Sequence, residues 1–104
     1  KAYIFNMCSI AGLHAYHNGG AYSVSKFALN GFTKNLREEL KEKRIRVSAI
    51  HPGATMSDSW AGSDISPDRI MEAQDIAIAI WSAYNMSAKA VVEDIILRPQ
   101  LGDL

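Results

Sequence analysis

Three residues able to move a proton stand at fixed intervals in this chain: Ser9, Tyr22 thirteen positions later, and Lys26 four after that. On a helix Tyr22 and Lys26 are i and i+4, one turn apart on one face. An ammonium held near a phenol favours the phenolate, which lowers a pKa that starts near ~10. A phenol tuned this way can donate or accept a proton near neutral pH. Ser9 lies at the end of an apolar run, Ala2-Tyr3-Ile4-Phe5-Asn6-Met7, that reads as a buried strand. Its hydroxyl would be offered to the same substrate oxygen. A surface tyrosine beside a surface lysine is the competing reading, because Tyr-x3-Lys also arises on ordinary helices. Four neighbouring features weigh against that reading. The turn Asn18-Gly19-Gly20 opens the helix, a serine ends the strand before it, and Gly12 follows that serine by three. A second strand-like run, Arg46-Val47-Ser48-Ala49-Ile50-His51, then leads into Pro52-Gly53-Ala54-Thr55.

The elements that must hold these residues read as strand, helix, strand, long loop, helix, strand. Residues 2–8 form a strand without polar alternation, as in a parallel sheet covered on both faces. Residues 9–20 are a loop of small and polar groups, and residues 21–44 one helix. Ala28, Phe32, Leu36 and Leu40, spaced by four, with Leu29 beside them, give that helix its apolar positions. The helix is lopsided. From Gly19 to Thr33 only Lys26 is charged, whereas nine of the thirteen residues from Lys34 to Arg46 are. The second half is therefore solvated, and the first half must be covered, either by its own sheet or by another chain. Residues 46–51 form the second strand, which Pro52-Gly53 stops. Residues 54–66 are a loop with Trp60 as its one large apolar group. Ser66-Pro67-Asp68 reads as a helix start, with Ser as N-cap and Pro at N1. The helical pattern from 73 to 86 puts Ile76, Ala77, Ile80, Trp81 and Tyr84 on one face, and residues 90–97 read as a last strand.

Composition bounds the function. At 104 residues the chain is one domain at most. Eleven basic residues balance eleven acidic ones, so neither nucleic acid nor an anionic membrane is expected as a partner. A single cysteine excludes an internal disulfide and fits a reducing compartment, so the expected location is cytoplasmic. No apolar run is long enough to span a bilayer, and no signal-peptide pattern is present. His14 and His17 lack acidic or cysteine neighbours at ligand spacing, so no metal site is expected. Cys8 reads as a small buried residue rather than a reactive thiol.

Taken together, these motifs resemble the C-terminal half of a short-chain dehydrogenase/reductase. Members of that family carry Asn-x-Ser-Ser-x-x-Gly, then Tyr-x-x-x-Lys, then Pro-Gly and a Thr-containing loop. Here these stand as Asn6-Met7-Cys8-Ser9-Ile10-Ala11-Gly12, Tyr22-Ser23-Val24-Ser25-Lys26 and Pro52-Gly53-Ala54-Thr55-Met56-Ser57. Two positions depart from the pattern. Cys8 replaces the first serine of the pair, and Ser57 stands where a threonine is usual, keeping the hydroxyl. The resemblance implies an α/β fold, a partial doubly wound (Rossmann-like) parallel sheet. It implies an oxidoreductase that transfers a hydride between NAD or NADP and a carbonyl or secondary alcohol. Ser9, Tyr22 and Lys26 would be catalytic, with Tyr22 as general acid/base. Tyr22, Lys26, Pro52, Gly53, Thr55 and Ser57 would bind the cofactor, Lys26 through the ribose and Thr55 and Ser57 through the carboxamide. His14, Tyr16 and Trp60, on the two flanking loops, would contact substrate. The long helix would pack on its symmetry mate, making a homo-oligomer.

The glycine-rich turn that cradles a dinucleotide pyrophosphate is absent from the seven glycines of this sequence. In the family it lies in the N-terminal half, so residues 1–104 read as the C-terminal part of a single domain. The 104 residues by themselves are expected to be inactive. The rival reading is a truncated, catalytically inactive relative that serves only in oligomerisation or partner binding.

Overall fold

The computed structural model describes residues 2–57 and 62–104. Strand β1 (Tyr3–Met7) leads through a 3-10 turn at Ile10–Gly12 into helix α1 (Gly20–Leu40). A second 3-10 turn, Lys41–Lys43, and a left-handed residue, Arg44 at φ 60°, bring the chain into β2 (Arg46–Pro52). A third 3-10 turn, Pro67–Arg69, precedes helix α2 (Ala73–Tyr84), and β3 (Asp94–Leu97) closes the order. The three strands form a parallel sheet in the order β1-β2-β3. This is an α/β fold, part of a doubly wound Rossmann-like sheet.

Central β2 explains the core. Val47, Ser48, Ala49, Ile50 and His51 are all fully buried, whereas β1 is half-buried because it is an outer strand. The two helices lie on opposite faces. Asn6 of β1 donates from Nδ2 to the Thr33 hydroxyl of α1 at 3.0 Å. Tyr3, which points the other way in the pleat, meets Tyr84 of α2 with ring centroids 6.4 Å apart. Two buried polar residues on the α1 side each make a bond: Thr33 also donates to Leu29 O at 2.8 Å, and the fully buried His51 pairs through Nε2 with Asp94 Oδ1 at 2.8 Å.

Three sequence expectations need correction. The face that α1 turns to the sheet is polar, with Ser23, Asn30 and Thr33 buried, while Ala28 and Phe32 of the expected apolar row are exposed. Ser66 does cap a turn, accepting from Asp68 N, but that turn is a single 3-10 one. Ile70 and Glu72 are extended, because Met71 is bridged to the loop after β2: Met56 N donates to Met71 O at 2.8 Å and Met71 N to Ala54 O at 3.0 Å. The helix begins only at Ala73, where Glu72 and Asp75 form a capping box. The last strand starts at Asp94 rather than residue 90. Side chains capture the carbonyls before it: Arg46 donates to Ala90 O and Ser48 to Val92 O.

Candidate active site

Gly12 sets the distance between the loop after β1 and helix α1. A Cβ built there would lie 2.6 Å from Lys26 O, so only glycine lets the loop press on the helix this closely. Ser23 holds the contact, its hydroxyl donating to Ala11 O at 3.1 Å. Ser9 caps the 3-10 turn by accepting from Ala11 N at 3.1 Å, and the hydroxyl keeps its proton to donate. Tyr22 and Lys26 sit one turn apart at the start of α1, with the ammonium 5.5 Å from the centroid of the Tyr22 ring. The helix starts here because Asn18 takes a left-handed conformation (φ 62°) and Gly20 another (φ 51°), which turns the chain sharply into it.

The third wall is the stretch after β2. Gly53 N donates to Leu97 O at 2.8 Å, and a Cβ on Gly53 would meet Pro99 Cδ at 3.2 Å, so the turn lies tight against the end of β3. Thr55 is bridged in parallel to Met71 through its neighbours Ala54 and Met56. In such a bridge the N–H and C=O of Thr55 itself face away from Met71. They offer a donor and an acceptor side by side, which suits an amide group. The Thr55 hydroxyl donates to Gly53 O at 2.9 Å.

These elements enclose a cavity of about 970 Å³. Ser9, Tyr22, Pro52, Gly53, Thr55 and Ser57 line it, as do His14 and Tyr16. Lys26 does not line the cavity itself but reaches the ring of Tyr22, which does. Trp60 lies outside the described residues. Tyr22 is 55% exposed, so the cavity reaches it from solvent. Cys8 also lines the cavity and is buried. Burial pushes its thiol up from the ordinary value, against a smaller lowering by its contact with Thr33, so it stays protonated. No group of three His, Cys, Asp or Glu side chains among the described residues could hold a metal ion, and no described helix is long and apolar enough to cross a membrane.

Sequence reasoning missed three contributors. Ser23 was hidden inside the Tyr-x3-Lys segment, although a small hydroxyl residue beside the tyrosine was in plain view. Arg98 and Asp103 line the cavity from the segment after β3, and nothing local in the sequence points to that return.

The short chain dehydrogenase family matches this chain over residues 1–67. Along its whole length the chain is 32% identical to a sepiapterin reductase from Chlorobaculum tepidum, of which it covers 43%. Its fold is similar to that of a β-ketoacyl-[ACP] reductase from Bacteroides thetaiotaomicron, with a TM-score of 0.78 and 30% identity over 95% of this chain and 42% of that one. It is also similar to 4-hydroxyisoleucine dehydrogenase complexed with NADH, with a TM-score of 0.75 and 30% identity over 91% of this chain and 44% of that one. The chain thus spans less than half the length of each of these relatives.

Proposed function

Because the chain belongs to the short-chain dehydrogenase family, we propose that the protein is an oxidoreductase interconverting a small carbonyl compound and a secondary alcohol with NAD or NADP. One observation carries the reading: Ser9 and Tyr22 line a single cavity with the Pro52–Ser57 stretch, and the Lys26 ammonium lies 5.5 Å from the Tyr22 ring centroid. The resemblance to an NADH complex supports the cofactor class. A bound nicotinamide would supply or take up the hydride.

The chain's own residues do the rest. In the reducing direction negative charge grows on the substrate oxygen. Tyr22 gives that oxygen a proton, with the Lys26 ammonium 5.5 Å from its ring centroid. Ser9 donates a hydrogen bond to the same oxygen as its charge develops. Lys26 and Tyr22 hold the ribose, and Pro52, Gly53, Thr55 and Ser57 hold the carboxamide end, where the free donor and acceptor of Thr55 match an amide. His14 and Tyr16 contact the substrate from the opposite loop.

The protein acts as a homo-oligomer. The apolar side chains of α1 that its own sheet leaves open, Val24 (70% exposed), Phe27 and Phe32, form the surface for a second copy. Incubating a protein that carries these residues together with the nucleotide-binding half found in its relatives with NADH or NADPH and a panel of small ketones and aldehydes, while following nucleotide absorbance, tests the proposal. Turnover of at least one carbonyl is expected. Absence of turnover together with absence of nucleotide binding by calorimetry would favour the non-catalytic reading.

A further inference from the structure

Aliphatic side chains such as Met7, Ile10, Met56, Ile76 and Ile80 line much of the cavity that Ser9 and Tyr22 also line. Two full charges of opposite sign interrupt it, Arg98 and Asp103. They face each other with Arg98 Nη2 3.4 Å from Asp103 Oδ2, and their side chains are 44% and 41% exposed. That separation exceeds the ~2.7–2.9 Å of a strong charge-assisted hydrogen bond. A half-solvated pair of this kind contributes little, about 0–1 kcal/mol, so its partners exchange readily.

The backbone beneath the pair is fixed. Arg69 donates to Gly102 O at 2.7 Å and to Asp103 O at 3.1 Å. Gly102 takes a φ of 92° and closes a turn by donating to Pro99 O at 2.9 Å. Arg98 follows directly on β3, whose Leu97 O accepts from Gly53 N. Loosely paired charges on a rigid frame are poised to take new partners.

The signs decide which partners. A lone anion would gain Arg98 but meet the Asp103 carboxylate, and a lone cation would suffer the reverse. A ligand with a carboxylate and an ammonium on adjacent positions exchanges both at once: its carboxylate takes the planar fork of Arg98 and its ammonium takes Asp103. We infer that Arg98 and Asp103 recognise an α-amino acid zwitterion whose aliphatic side chain lies along the apolar wall. The inference rests on the oxidoreductase reading for its consequence, that the reacting alcohol or ketone is carried on that side chain.

Isothermal titration of the protein with leucine, leucine methyl ester and 4-methylpentanoate separates the two charges without needing an alcohol. Leucine should bind more tightly than either singly charged analogue by about tenfold or more. Arg98→Gln should weaken leucine and 4-methylpentanoate while the ester binds as well or better, and Asp103→Asn should weaken leucine and the ester while the acid binds as well or better. Equal binding of all three, no binding of leucine, tighter binding of 4-methylpentanoate, or an unchanged preference in both variants would overturn the inference. Tyr22→Phe should keep the leucine preference. A protein that shows this preference but oxidises no side-chain hydroxyl of an α-amino acid with either nucleotide would count against the oxidoreductase reading alone.

Discussion

Ser23 and Gly12 act on Tyr22 without touching a substrate. The Ser23 hydroxyl ties the first turn of α1 to Ala11 O, and Gly12 leaves room for the approach. Removing the hydroxyl loses a buried bond of about 0.5–1.5 kcal/mol and leaves the Ala11 carbonyl without its partner. Ser23→Ala should therefore lower kcat severalfold with little change in nucleotide affinity. Gly12→Ala should do more harm, because the new methyl meets backbone at Lys26 O rather than a movable side chain. Steady-state kinetics and calorimetry on the two variants check the order, and equal effects would show that the loop is positioned by other means. The Ser9-Tyr22-Lys26 spacing was legible because strand end, glycine turn and helix start are all local signals. The partner of Ser23 was not, since it depends on how the loop folds back.

The strands depend on side chains that cross between them. His51 is fully buried on β2, Nε2 pairs with Asp94 of β3, and Nδ1 has no hydrogen-bond partner among the described residues. Asp94→Ala would leave both ring nitrogens unpaired, at a cost of about 1–3 kcal/mol. An unfolding free energy lowered by that amount, seen as a lower urea midpoint, is expected, and an unchanged midpoint would mean that the pair contributes nothing to the β2–β3 end. This strand end carries Gly53 and Thr55, so the loss should weaken nucleotide binding too. Element types were readable from the sequence, because runs such as Arg46–His51 and the Ala73–Tyr84 pattern are long and periodic. Element edges were not. The carbonyls of Ala90 and Val92 are taken by Arg46 and Ser48, which removes them from the ladder, and Met71 is drawn into a bridge that delays α2. The face of α1 was misread for a related reason: Ser23, Asn30 and Thr33 sit against the sheet because hydrogen bonds to Ala11 O, Leu29 O and Asn6 satisfy two of them there.

At the scale of the whole molecule two surfaces remain to be used, the apolar side of α1 and the cavity. Phe32 is 57% exposed and Val24 more so, on a helix whose far half is charged. A double variant, Val24→Glu with Phe32→Glu, should convert an oligomer into a monomer in sedimentation while leaving the circular dichroism spectrum unchanged. A monomeric parent protein would contradict the oligomer. The cavity gathers residues from β1, α1, β2 and the segment after β3, and the sequence alone could nominate only those with a local signature. If Tyr22 gives and takes the proton in this cavity, its loss must show in kcat/KM of Tyr22→Phe, measured beside nucleotide affinity. Tyr22 is largely exposed and its hydroxyl is not a packing group, so the variant should fold, and with Lys26 still present to hold the ribose it should bind NADH or NADPH within a few-fold of the parent. Its kcat/KM should fall by about 10²–10⁴. Turnover within a few-fold of the parent, with nucleotide binding intact, would contradict the account.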